Sequence, residues 1–154
     1  MSTSILGLDG RRIDLEVVVR VGTTAALLAS ATVHSTLAAE HLGELSRAGT
    51  LFLVLQLVET SLAMAVISAW SFTTAAAVVA TSVVSVGIWM LSSVTGMPLS
   101  PESFRISWLA GSDLASLALE LTAAGLALPW AVRAWSAWRA ARRRARRRMA
   151  RLGS

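Results

Sequence analysis

The chain has 154 residues, of which 55% are hydrophobic and 15% charged, with a net charge of +5. This balance and a mean hydropathy of +0.63 exclude an ordinary soluble domain and indicate a membrane protein. Cysteine is absent, which excludes disulfides, thiolate metal sites and cysteine nucleophiles. Since one bilayer crossing takes about 20 apolar residues, the length suits four spans with short connections.

The first predicted element is a charged cytoplasmic segment over residues 1–20. Its stretch from Ile5 to Val19 favours an amphipathic lead-in on the membrane surface. The first apolar run follows Asp9 and Arg11 and continues at spanning length. We therefore expect a retained helix and not a cleaved signal peptide.

Four apolar segments of spanning length follow, and tryptophan, glycine or proline marks most of their ends. The predicted spans cover residues 21–42, 49–70, 73–94 and 108–130. The turn near Ser71 is very tight, and Gly96 and Pro98 end the third span. The sequence thus predicts an all-α, polytopic membrane four-helix bundle.

An arginine-rich tail over residues 131–154 follows the fourth span. The positive-inside rule predicts that this tail is cytoplasmic, and Arg11, Arg12 and Arg20 place the N-terminus on the same side. The expected location is the plasma (inner) membrane, with multiple spans and both ends inside.

The tail arginines also indicate contact with anionic lipid headgroups, at about 1 kcal/mol per residue near the surface. The arginines expected to make this contact are Arg142, Arg143, Arg144, Arg146, Arg147 and Arg148. Nucleic acid is not the expected partner, because no aromatic residue beyond Trp138 is interleaved with them.

Ionisable residues inside the spans are the main indication of function, because each costs about 2.5–3.5 kcal/mol in the membrane. At 1.5 Å per residue, His34, Glu59 and Glu120 all lie about 12–18 Å from the outer ends of their spans. The sequence therefore predicts that these three residues share one layer near the midplane.

A second, outer layer is predicted from helix periodicity. His41 and Asp113 lie seven residues from His34 and Glu120 respectively, on the same helix faces, and Glu44 follows His41 by three residues. The predicted metal ligands are therefore His34, Glu59, Glu120, His41, Glu44 and Asp113.

Imidazole and carboxylate groups together suit a divalent transition metal, namely zinc, iron, manganese, nickel or copper(II), and they also relay protons. Haem is not the expected cofactor. His34 and His41 project from one face of one helix and cannot bind opposite sides of one iron, which leaves only single-histidine ligation open.

A purely structural interpretation stands beside the metal site. His34 paired with Glu59 or Glu120 would hold helices together, at about 0.6–2 kcal/mol per hydrogen bond. Asp113 also suits a helix N-terminus, where a carboxylate offsets the helix dipole. Glu40 is off the shared face and is expected to be an exposed helix-end charge.

Small and polar residues complete the predicted interior. Gly22 and Ser30 are expected to permit close packing of the first span. One stripe of the third span carries a tryptophan and three serines, Trp89, Ser82, Ser85 and Ser92. These residues are expected to face the other spans.

Three segments resemble a group of small, uncharacterised four-helix actinobacterial integral membrane proteins. They are the run Gly49-Thr50-Leu51-Phe52, the third span ending in Thr95-Gly96-Met97-Pro98, and the segment from Asp113 to Glu120. Members of this group are similar in carrying histidine and glutamate at the end of the first helix, here His41 and Glu44. The resemblance implies the four-helix fold and the same choice of residues, and no activity.

This chain departs from that pattern around the third span, where Ser93 and Val94 replace an expected arginine and Ser100 precedes Pro101 in place of glycine. A contact between an anion and this loop is therefore not expected.

Two functions follow from these residues. The first is an integral membrane protein whose His/carboxylate site binds or conducts a transition-metal ion or protons. The alternative is a non-catalytic accessory subunit of a larger membrane complex. An enzyme is less expected, because the chain offers two histidines and no cysteine. Four spans are few for a transporter, so transport would call for a homo-oligomer.

Overall fold

The computed structural model describes residues 4–6, 12–42, 47–95 and 111–152, with side chains for residues 14–40, 49–92, 111–112 and 114–144. It contains four helices and a short hairpin. The helices are α1 (Leu15–Leu42), α2 (Arg47–Ser68), α3 (Phe72–Thr95) and α4 (Gly111–Leu152), and the strands are β1 (Ser4–Leu6) and β2 (Arg12–Asp14).

The N-terminal hairpin replaces the amphipathic lead-in expected from Ile5 to Val19, which was a wrong prediction. β1 and β2 pair antiparallel, with Ile5 opposite Ile13. Helix α1 begins at Leu15 because Asp14 caps it, its Oδ1 accepting the Glu16 backbone N–H at 3.0 Å. The first helix thus starts before the predicted span.

Consecutive helices run in opposite directions. Arg20, near the start of α1, donates a hydrogen bond to the carbonyl oxygen of Ile67, near the end of α2. Phe72, at the start of α3, stacks on Trp135 in the C-terminal half of α4. The start of α1 and the extension of α4 therefore lie at one end of the bundle, here called the terminal end. The α1–α2 and α3–α4 connections lie at the other, here called the connection end.

The distribution of side chains is that of a membrane protein. All four helices are long and apolar enough to cross a bilayer. Large apolar side chains face outward on every helix, for example Leu28, Leu57, Val83 and Leu121. Hydroxyl groups on that surface bond to the carbonyl four residues back, as Thr122 does to Ala118 at 2.7 Å, which satisfies them in lipid. The predicted membrane four-helix bundle is confirmed.

One apolar layer forms the centre of the core, with two residues from each helix. We call it the apolar layer: Ala26, Leu27, Ala63, Val66, Ala75, Val78, Ala123 and Ala127. Trp70 and Trp130 pack against it from the terminal end and meet edge to face at 6.1 Å. Gly22 brings α1 and α4 close, since a Cβ there would lie 3.1 Å from Leu126 Cδ1.

The tight turn predicted near Ser71 is present between α2 and α3. The Ser71 backbone N–H donates to Thr74 Oγ1 at 2.7 Å, and the Thr74 N–H donates to Ser71 Oγ at 3.2 Å. This reciprocal pair satisfies two free N–H groups at the start of α3, so three residues suffice to connect two spans.

Helix α4 continues through Pro129 far beyond the predicted fourth span. On this extension Trp135 stacks on Trp138 at 4.9 Å. The guanidinium of Arg139 lies 4.7 Å from the Trp135 ring, and that of Arg142 lies 4.5 Å from the Trp138 ring. Much of the predicted arginine-rich tail is therefore a continuation of the fourth helix, with its charges stacked on aromatic rings.

Candidate functional site

Three buried ionisable side chains meet in the bundle interior. His34 comes from α1, Glu59 from α2 and Glu120 from α4, with exposed fractions of 3%, 0% and 1%. One nitrogen or oxygen atom of each lies within 4.8 Å of the others. These are the three residues that depth along the spans assigned to one layer, and we call them the polar layer.

His34 and Glu59 form the hydrogen-bonded part of the polar layer. His34 Nδ1 lies 3.0 Å from both carboxyl oxygens of Glu59. Ser30 Oγ donates to Glu59 Oε1 at 3.3 Å, and Ser116 Oγ lies 3.1 Å from His34 Nε2. An ionised carboxylate only accepts, so the proton belongs on Nδ1 and Ser116 donates to Nε2. The Phe52 ring stacks on the imidazole at 5.9 Å.

Glu120 lies beside this pair without sharing its hydrogen bonds. Its carboxyl is next to Glu59, Ser82 and Ser85, yet neither of its oxygens has a partner in hydrogen-bond geometry. Leaving a buried polar group unpaired costs about 1–3 kcal/mol, and more for a charge. Two adjacent carboxylates also repel each other in a low-dielectric interior. The two carboxyl groups therefore lie side by side, with the Ser82 and Ser85 hydroxyls nearby and no group in hydrogen-bond geometry with Glu120.

A cavity of about 40 Å³ adjoins the polar layer on the side of the connection end. His34 and Glu120 line its inner part, and Leu51, Trp89 and Ser92 line the part nearer the connections. The Ser92 hydroxyl is buried without a partner. A water molecule requires about 10–15 Å³ of such space, so the cavity has room for several waters or for an ion with part of its hydration shell.

The three groups of the polar layer lie close enough together that they could hold a metal ion. Transition metals bind imidazole nitrogen and carboxylate oxygen at about 2.0–2.2 Å, so two ligand atoms of one ion lie at most about 4.4 Å apart. The three side chains fulfil this after shifts of a few tenths of an ångström from their positions within 4.8 Å. Two carboxylates also cancel the charge of a divalent ion, which leaves a neutral centre inside the membrane.

The predicted outer layer is not tested by these contacts. Glu44 and the side chains of His41 and Asp113 lie outside the described part of the chain. The backbone of Asp113 belongs to the first described turn of α4, the position at which a carboxylate offsets the helix dipole. Glu40 is exposed, as expected.

The sequence did not predict the roles of two serines in the site. Ser30, expected only to permit packing, donates to Glu59. Ser116, which bonds to His34, lies one helical turn before Glu120 on the same face. That spacing was the available signal. The serine stripe of α3 does face the site, since Ser82, Ser85 and Ser92 are buried.

The fold and site together define a polytopic four-helix membrane protein with a buried layer of one imidazole and two carboxyl groups. Comparison with protein families, curated proteins and solved structures finds no match to this chain. The resemblance to the actinobacterial group therefore stays a prediction.

Proposed function

We propose that the polar layer binds a divalent transition-metal ion inside the membrane. The observation that carries this proposal is the buried Glu120 carboxyl, which has no hydrogen-bond partner and lies within reach of one ligand atom each from His34 and Glu59. A cation between the three groups would pair Glu120 and remove the repulsion between the carboxylates. Ionisable groups that converge within a membrane generally serve such a site.

The donor set narrows the class of ion. One imidazole with two carboxylates suits zinc, iron, manganese, nickel or copper(II), whereas purely oxygen ligands suit magnesium and calcium. Ser116 and Ser30 fix the orientation of His34 and Glu59, as partners behind metal ligands do in other sites. With the ion on Nδ1 in place of its hydrogen bond to Glu59, the His34 proton would lie on Nε2, and Nε2 would donate it to Ser116 Oγ.

The test is metal analysis of the purified, chelator-treated protein after incubation with Zn²⁺, Mn²⁺ or Ni²⁺ and removal of free ions. We expect one ion per chain for the natural protein and a loss of binding for Glu120→Gln and His34→Ala. Glu40→Gln, which changes an exposed carboxylate, is the matched control and keeps the ion. If none of these ions binds to the natural protein, the metal proposal is wrong, and proton uptake becomes the next measurement.

An accessory-subunit role is the second candidate, and the pairing of His34 with Glu59 at 3.0 Å favours it. Paired polar side chains of this kind hold helices together without any ligand. Isolation in mild detergent distinguishes the two roles. A subunit is recovered with other membrane proteins in fixed ratio, whereas a self-contained metal-binding protein is recovered alone or as a homo-oligomer.

We also propose that the protein lies in the plasma membrane with its terminal end in the cytoplasm. Its α4 extension, with exposed Arg139 and Arg142–Arg144, would contact anionic headgroups at about 1 kcal/mol per arginine. In nanodiscs containing phosphatidylglycerol we expect slower tryptic cleavage of this extension than in phosphatidylcholine nanodiscs. Equal rates would exclude the contact.

A further inference from the structure

The polar layer divides the interior of the bundle into two unlike halves. Between the layer and the connection end lies the cavity, bordered by the Ser92 and Ser116 side chains. Between the layer and the terminal end lies the apolar layer. The two halves therefore differ in whether they can solvate an ion on its way to Glu120.

The half towards the terminal end is closed by close packing. Leu27 precedes His34 by seven residues, which places the apolar layer about 10 Å beyond the polar layer. Leu27, Val66 and Val78 have exposed fractions of 0%, and every side chain of this layer is aliphatic. An ion that entered it would lose its hydration without gaining any ligand, which is prohibitive in a low-dielectric interior.

Aromatic rings add to this closure. Trp70 and Trp130 pack on the terminal side of the apolar layer. The buried hydroxyls of Thr23 and Thr24 also have no hydrogen-bond partner, and a cavity of about 410 Å³ lined by Arg20 and Thr24 lies beside them. Both threonines precede Ala26 and Leu27 on α1, so they lie on the terminal side of the apolar layer. Among the described residues, neither threonine belongs to the apolar layer, so the two hydroxyls provide no polar path across it.

The half towards the connection end contains open space with polar groups on it, although most of the side chains that line this space are apolar. It contains the cavity of about 40 Å³ and, beside it, the buried hydroxyl of Ser92, which has no partner in the protein. Ser116 reaches the same space from α4. The unsatisfied Ser92 hydroxyl beside a cavity of this size is a position for bound water. An arriving cation requires water ligands until His34, Glu59 and Glu120 replace them.

From this asymmetry, and resting on the proposed metal site, we infer that the site takes up its ion only from the connection end. The apolar layer then prevents release towards the terminal end. The single bundle holds a cation within the membrane and does not conduct it. Its role is that of an ion receptor or reservoir facing one side, and not that of a channel.

The absence of cysteine in the chain permits a direct test by thiol accessibility. Single cysteines replace Ser92 and Ser116 beside the cavity and Ala63 and Ala127 in the apolar layer. Two exposed positions serve as side markers, Thr50 near the connection end and Ser136 on the α4 extension. A membrane-impermeant cationic methanethiosulfonate reagent is applied to sealed vesicles from the outside or trapped inside them.

We expect Ser92→Cys and Ser116→Cys to react from the same side as Thr50→Cys, and Ala63→Cys and Ala127→Cys to react from neither side. Reaction of Ala127→Cys from the side of Ser136→Cys would overturn the inference, because it requires a path through the apolar layer. Complete protection of both Ser92→Cys and Ser116→Cys would also overturn it, because no access from the connection end would then exist.

Metal movement gives the second measurement. In proteoliposomes loaded with a zinc indicator, we expect Zn²⁺ to bind to the protein without reaching the lumen. Lumenal zinc above that of protein-free liposomes would overturn the inference and leave the metal site intact. Failure of the detergent-purified protein to bind zinc, manganese or nickel would instead overturn the proposed function, so the two failures are distinguishable.

Discussion

Glu120 is the member of the polar layer for which the protein itself provides no hydrogen bond. If it serves an ion, it is maintained at a cost in stability, as functional residues often are. Glu120→Met, which keeps a similar volume and removes the unpaired carboxyl, should therefore increase the free energy of unfolding by about 1–3 kcal/mol. It should at the same time abolish metal binding. Unfolding in mixed detergent micelles measures the first effect.

The control for this prediction is Glu40→Met, because Glu40 is exposed at the helix end. It should change the free energy of unfolding by no more than about 0.5 kcal/mol. A destabilised Glu120→Met protein would show that Glu120 is a structural residue and would argue against a role in ligand binding.

In the proposed metal site, Ser116 would act on the ion through His34. Its hydroxyl lies 3.1 Å from His34 Nε2 and holds the imidazole in orientation. Ser116→Ala should weaken metal binding about 10–100-fold, as loss of a partner behind a metal ligand does. Ser112→Ala, one turn away on the same helix and exposed, should leave the affinity unchanged. Titration with a competing zinc indicator measures the affinity of each variant. If Ser116→Ala binds zinc as tightly as the natural protein, Ser116 has no positioning role.

At this scale the sequence predicted which ionisable residues meet, but not how they bond. Depth follows from the rise per residue, and it placed His34, Glu59 and Glu120 at one level. The rotation of each helix about its axis depends on packing with its neighbours. Sequence alone therefore left open whether His34 would pair with Glu59 or with Glu120, and it did not predict the hydrogen bond from Ser30 to Glu59.

At the scale of the elements, the α2–α3 turn depends on its cap. Ser71 and Thr74 exchange two hydrogen bonds across the first turn of α3. Ser71→Ala removes the side-chain part of this cap and should lower the free energy of unfolding by about 0.5–2 kcal/mol. Ser68→Ala is the control, since that exposed hydroxyl bonds within its own helix, to Met64. Similar losses in the two variants would contradict the capping role.

The contact of α1 with α4 depends on Gly22. A Cβ at this position would lie 3.1 Å from Leu126 Cδ1, so Gly22→Val should displace the Leu126 side chain or helix α4 and cost about 1–3 kcal/mol. Gly125→Val is the matched control, because a Cβ there meets nothing within 4 Å. Thermal unfolding followed by circular dichroism compares the two. An equally stable Gly22→Val protein would show that α4 can move away freely.

Helix existence was predictable from hydropathy, whereas helix ends were not. The apolar runs gave four spans, and all four are helices. The start of α1 was missed because the Asp14 cap precedes the apolar run, inside a charged segment that hydropathy does not assign to a span. The pairing of β1 with β2 was missed because each strand has only three residues, too few for an alternating pattern to appear.

At the scale of the whole molecule, the proposed orientation predicts a cytoplasmic C-terminus. A reporter that is active only in the cytoplasm, fused after Ser154, should be active, and one fused between α3 and α4 should be inactive. Replacing Arg142–Arg144 and Arg146–Arg148 by glutamine should decrease the cytoplasmic signal, since those charges contribute to the topology. An inactive C-terminal fusion would reverse the side from which the metal site is filled.

The distribution of the polar layer over the chain also bears on the order in which the site is built during synthesis. Helices α1 and α2 are made first, and together they carry Ser30, His34 and Glu59 with their mutual hydrogen bonds. The first two spans can thus satisfy hydrogen bonds among these side chains while the rest of the chain is still on the ribosome. Glu120 arrives last, on α4, when those partners are already engaged. The order of translation thus brings Glu120 to a histidine–glutamate pair whose mutual hydrogen bonds can already have formed.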